Sequence, residues 1–186
     1  TFKKSEACKK NKDFTKKLDY AKSFPMPGML NTNVAEFGCG TMIPQGITVA
    51  ISYFFITAYD SQGIENSVVY VLSKADKELM TTIILPNKSH AGGIAFDGKN
   101  LWITQAKTLR SIPFSAVKDA IDNQEPYLEL SAYGVEINLP QQAATVTYYK
   151  KLLWVASYDE LKPGYLVSYK IAKKGSKPEL TPLKTI

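Results

Sequence analysis

The pattern of apolar and polar positions changes character near residue 46, where short runs rich in β-branched and aromatic residues begin to alternate with Gly, Pro, Asn and Asp. Runs of that length predict strands rather than helices. The first four fall at 46–52, 54–59, 67–73 and 79–85, close enough along the chain to join as an up-and-down meander. In "LPNKSHAGGIAFDGKNLWIT" (85–104), Asp97-Gly98 separates two apolar runs, a hairpin signal because both residues tolerate positive φ. One segment differs. In "SIPFSAVKDAIDNQ" (111–124), Phe114, Val117 and Ile121 recur at helical spacing behind a candidate cap, Ser115. It predicts a short helical insertion before a last strand at 134–139.

The runs repeat. "ITVAISYFFITAYD" (47–60), "IAFDGKNLWIT" (94–104) and "VTYYKKLLWVASYD" (146–159) align without gaps at offsets of 47 and 52. Ile47, Ile94 and Val146 coincide, as do Phe54, Leu101 and Leu153, and Phe55, Trp102 and Trp154. The first and third copies continue in register, "SVVY" (67–70) facing "LVSY" (166–169) at an offset of 99. Each copy follows a proline that closes an apolar run, at Pro44, Pro86 and Pro140. A β-rich period of about 40–50 residues is the mark of propeller blades, whose sheets bury their faces only against one another.

The expected fold is all-β, with three four-stranded antiparallel meander blades at about 44–86, 91–140 and 141–186 and the helical insertion in the second. Residues 1–43 form a Lys-rich arm and an outer strand. Three blades fall short of the roughly four to eight that close a ring. "LTPLKTI" (180–186) also resembles the start of another "TIILP" strand. These points rank a piece of a longer protein first, half of a ring completed by a second chain next, and a non-propeller stack last. The inner-strand motif followed by L-W-(I/V)-(T/A) is similar to the NHL-repeat and YncE-like β-propellers, and more loosely to those of the gluconolactonase type. The resemblance covers about residues 45–186 and implies the fold; its motifs do not single out a family.

Composition adds limits. With 186 residues, 45% apolar and 11% aromatic, the chain has material for a core. Its net charge of +6 is concentrated in residues 1–24, where eight lysines meet Glu6, Asp13 and Asp19. The body is nearly neutral, so a nucleic-acid partner is not expected. Nor is a membrane span, since no apolar run reaches about 18 residues. Cys8 and Cys39 could staple the arm to the domain, and a loop of about 30 residues would contribute about 3–4 kcal/mol. With the non-Met first residue, such a bridge points to a secreted or cell-surface protein behind a removed leader.

Meander connectivity brings the loops between blades and the ends of the second strands to one mouth. There lie Gln45, His90, Gln141 and Gln142 from the inter-blade loops, with Tyr59, Asp60, Gln105, Tyr158 and Asp159 from second-strand ends. Asp97 falls at the opposite end, where a hairpin role suffices. Within the mouth, Asp60 and Asp159 could equally cap loops, and Tyr59 and Tyr158 could pack between blades. His90 is the only histidine, which rules out two-histidine mechanisms and His-rich zinc sites within this chain. Gly92-Gly93 beside it permits close backbone approach. "DSQGIEN" (60–66) offers oxygen ligands without the dense alternation of a calcium loop, and "NKS" (87–89) is a glycosylation sequon.

The residues favour a non-catalytic extracellular propeller that binds a protein, glycan or cell-surface partner through this mouth. No cofactor is required by that reading. The alternative is a metal-dependent hydrolase of the lactonase type, with a channel cation, calcium for example, held by Asp60 and Asp159.

Overall fold

The computed structural model describes residues 24, 26, 27, 39–175 and 177–186. It opens with β1 (Met42–Ala50), β2 (Tyr53–Asp60), β3 (Val68–Ser73) and β4 (Leu79–Ile84). After β5 (Ile94–Phe96), β6 (Asn100–Gln105) and β7 (Thr108–Pro113) come helix α1 (Phe114–Asp122), β8 (Tyr127–Glu129), helix α2 (Leu130–Tyr133) and β9 (Val135–Asn138). The chain ends in β10 (Thr145–Tyr149), β11 (Leu152–Ala156), β12 (Leu166–Lys174) and β13 (Lys177–Thr185). These strands form three sheets, in the orders β1-β2-β3-β4-β8, β5-β6-β7-β9 and β10-β11-β12-β13. The described residues do not close into a ring or barrel.

The repeat seen in the sequence is a repeat of register. Ile47 pairs with Ile56, Ile94 with Ile103 and Val146 with Val155, so the three leading hairpins superpose residue for residue. A side-chain bond repeats with them. The Gly46 N–H donates to Thr57 Oγ1 at 2.8 Å, and the Gly93 N–H donates to Thr104 Oγ1 at 2.8 Å. The leading strands also lie side by side, β5 touching both β1 and β10. Their backbones nearly meet. A Cβ on Gly93 would stand 2.5 Å from Val146 N, and one on Gly92 would stand 2.0 Å from Ala144 O, so only glycine fits there.

Stacking explains the burial pattern. The second sheet lies between the other two and is covered on both faces, so β6 reads as a continuous buried run from Leu101 to Gln105. Leu101 and Ile103 enter one core with Phe55, Val69 and Ile83 of the first sheet. Trp102 and Leu109 enter another with Leu153, Val155 and Val167 of the third. A third cluster, Ile56, Val68, Tyr70 and Leu72 with Met26 and Phe24, covers β2 and β3 of the first sheet on the side away from the second. Full burial of a residue the size of Trp102 contributes about 3–5 kcal/mol against alanine.

Several details correct the sequence expectations. The first sheet has five strands, because β8 adds parallel to β4, Ile83 opposite Leu128. The edge of β4 would otherwise offer unpaired backbone groups, so the insertion of the second unit clamps the first. Its helix begins at Pro113 with no side-chain cap, and Ser115 lies inside it. Val117, Ala120 and Ile121 are its buried residues, and the Phe114 ring packs against Tyr53, Phe55 and Phe96 at centroid distances of 6.3, 6.2 and 5.5 Å. The third strands part from the expected match. Phe55 faces Val71 but Trp154 faces Ser168, a slide of two residues that keeps every side chain on its own face. "LTPLKT" (180–185) falls in β13, the outer strand of the third sheet, and Ile186 follows it. No disulfide is found among the described residues: Cys39 is free, its Sγ 3.3 Å from Thr41 Oγ1, and Cys8 lies outside them.

Two consequences are measurable. Gly92→Ala should lower stability by about 3 kcal/mol in urea melts, because the new methyl collides with rigid backbone of the next sheet. Ile51, at φ 55° in the β1–β2 turn, is 67% exposed and gains nothing from its branched side chain there. Ile51→Gly should raise stability by about 1 kcal/mol in the same melts by removing left-handed strain.

Candidate functional site

The loops that enter the leading strands come together at one end of the stack. Gln45, Gly92 and Ala144 hold the same repeat position, one residue before Gly46, Gly93 and Thr145. Around them opens a cavity of about 430 Å³ lined by Gln45, Ser89, His90, Gly92, Ala106, Gln142, Ala143, Ala144 and Tyr158. Four of the sequence candidates therefore share one wall: Gln45, His90, Gln142 and Tyr158; Gln45 reaches it from within β1, not from the inter-blade loop the sequence suggested. Tyr59 supports it from behind, its ring stacked on His90 with centroids 3.9 Å apart and an interplanar angle of 21°. The stack orients the imidazole at the rim and joins the end of β2 to the loop before β5.

The other candidates serve the framework. Asp60 is buried, at 2% exposure. It accepts hydrogen bonds from Thr41 Oγ1 and from the backbone N–H groups of Gln62, Ile64 and Glu65. Burial pushes its carboxyl up, but the bonds from Thr41, Glu65, Gln62 and Ile64 together outweigh burial and hold it well below the usual carboxylate range. Asp159, exposed, accepts from the Leu161 N–H at 2.9 Å. Gln105 is fully buried and donates from Nε2 to Asn87 Oδ1 at 2.8 Å. Gln141 donates from Nε2 to the Tyr169 hydroxyl at 2.7 Å. The same Asn87 Oδ1 accepts from the Ser89 N–H and hydroxyl, so the sequon asparagine organises the loop that carries His90.

The cavity wall carries amides, a hydroxyl, an imidazole and a phenol. It carries no carboxylate, ammonium or guanidinium group. Among the described residues no group of three or more His, Cys, Asp or Glu side chains is placed to hold a metal ion. Both Asp60 oxygens are committed to loop donors, which takes from the lactonase-type reading its best ligand. Asp97, at the other end of the stack, is also a loop organiser. Its carboxylate accepts from the N–H groups of Lys99 and Asn100 and from Trp102 Nε1, the last at 2.7 Å.

Sequence reasoning missed Ser89 although it adjoins His90, and missed Ala106, Ala143 and Ala144 because alanines carry no chemical signal. A second cavity of about 250 Å³ lies beside α1. It is built from that helix, the loop after it, Pro113 and Tyr133 of α2, all within the insertion and its junction with β7.

The fold and site define a mostly β protein of three stacked antiparallel sheets with a cavity, lined by amides, a hydroxyl, an imidazole and a phenol, at the shared end of its leading strands. Compared with known proteins, the chain matches no family model and no curated protein. No helix among the described residues is long and apolar enough to cross a membrane.

Asp60→Asn tests the loop role. The folded state keeps this carboxylate ionised below the ordinary value of 3.8, so its contribution is full above that pH and lost as pH falls toward the lowered folded value. The variant should be about 2 kcal/mol less stable at pH 7, where an N–H group loses its acceptor. Urea melts repeated down to about pH 2 should show that gap narrowing with acid.

Proposed function

We propose that the three sheets are successive blades of a β-propeller and that the cavity at their common end binds a neutral glycan, making the chain a non-catalytic binding module. The observation that carries this reading is the cavity wall. Its polar groups come from Gln45 in β1, from the loop before β5 and from the loops on either side of the β10–β11 hairpin, and none of them is a carboxylate, ammonium or guanidinium. Such a wall can exchange hydrogen bonds with hydroxyls, and the His90 imidazole is the one group in it able to pair with an ionised ligand. The Tyr158 ring, 62% exposed, adds a flat apolar surface of the kind that receives the C–H face of a sugar. The blade reading draws support from the shared register of the leading hairpins, the repeated Gly–Thr bond and the adjacency of β1, β5 and β10.

A glycan array followed by calorimetry tests the proposal. Neutral oligosaccharides should bind, with affinity unchanged between low and high salt because no ion pair is screened. Tyr158→Ala or Gln142→Ala should each weaken binding about tenfold or more, the range of an anchoring contact. Binding confined to charged glycans, or untouched by both substitutions, would refute the assignment.

A further inference from the structure

The two end faces of the stack are complementary halves of an interface the molecule already makes twice. Phe55, Trp102 and Trp154 hold one repeat position. Phe55 is buried between the first and second sheets, and Trp102 between the second and third. Trp154, third in the series, is only partly buried, on a face it shares with Leu152 and Ala156. Its indole Nε1 is buried without a partner among the described residues, whereas Trp102 Nε1 has Asp97.

The opposite end shows the converse. Ile47, Ile94 and Val146 hold another repeat position. Ile94 and Val146 are each 5% exposed, packed against the preceding sheet, but Ile47 is 60% exposed and Val49 beside it 47%. Among the described residues, Phe24 and Met26 cover β2 and β3 on this face, and Ile47 and Val49 of β1 stay exposed.

We propose that a second copy of this chain docks head to tail, the Trp154 face of each copy against the Ile47–Val49 strip of the other. This rests on the blade reading above. The committed occupant follows from the repeat: a face bearing Trp102 is covered by a face bearing Val146, and a face bearing Phe55 by one bearing Ile94. The chain therefore carries both halves of one heterologous contact, one at each end. Two such contacts related by a two-fold axis close a ring of six sheets, within the range propellers adopt. Closure also sets the loops at the cavity end of the two copies around one channel.

Light scattering on the full chain, with and without substitutions, tests the contact. The expected particle has twice the 20.6 kDa chain mass. Trp154→Lys and Ile47→Lys should each give the single-chain mass with unchanged circular dichroism. An equimolar mixture of the two variants should regain the doubled mass, because one intact Trp154 face still meets one intact Ile47 strip. A single-chain mass for the unsubstituted protein at all concentrations, or a dimer that survives both substitutions, overturns the proposal. Gly92→Ala reads the sheet stack independently. If it destabilises while no dimer forms, the stack stands and the contact between copies fails.

Discussion

The near-contact of the Gly92–Gly93 backbone with Ala144–Val146 sets the spacing on which the rest of the molecule depends. At that distance no side chain fits between the leading strands, and the Thr104 hydroxyl of β6 reaches both the Gly93 carbonyl at the entry to β5 and the Ala144 carbonyl of the next sheet. With the leading edges drawn together, the sheet faces lie close enough for Trp102 on one side and Leu101 with Ile103 on the other to be wholly buried. The same contact explains why the second sheet holds the densest apolar sequence. It has two neighbours, and its companions have one each among the described residues.

That spacing also makes the cavity. The loops entering β5 and β10 must leave the stack at the end where β1 begins, and the second strands return to it, so Gln45 of β1 and short loops of the other two sheets line one space. Polar residues nearby are taken up in holding those loops. Asp60 gathers a side-chain hydroxyl and three backbone donors, and Asn87 gathers Ser89 and Gln105. What faces the cavity holds no carboxylate, ammonium or guanidinium, is joined to the end of β2 by the Tyr59–His90 stack, and is suited to hydrogen bonding.

The insertion in the second unit shows how a repeat tolerates interruption. Between β7 and β9 the chain leaves its own sheet, packs α1 under the first core and pairs β8 with β4 before returning. The excursion covers an exposed edge and ties two sheets together that otherwise meet only by their faces and leading strands.

The repeat, the meander order, the Asp97 turn and the helix were legible in the sequence because each depends on neighbours within a few residues or on self-similarity at fixed offsets. Which candidates would share the cavity wall was only half legible. Gln45, His90, Gln142 and Tyr158 reach it, while Asp60, Gln105 and Gln141 turn into the framework. Their residue types are alike, and only the packing of loops tens of residues apart separates a buried amide from an exposed one. The parallel pairing of β8, the two-residue slide of β12 and the need for glycine at position 92 were likewise invisible, since each is imposed by backbone from a distant part of the chain. The amino-acid sequence by itself determined the units and their strand order, through local periodicity. Tertiary structure alone decided which polar side chains satisfy the fold and which remain free to meet a ligand, because burial and hydrogen-bond pairing are properties of the assembled sheets.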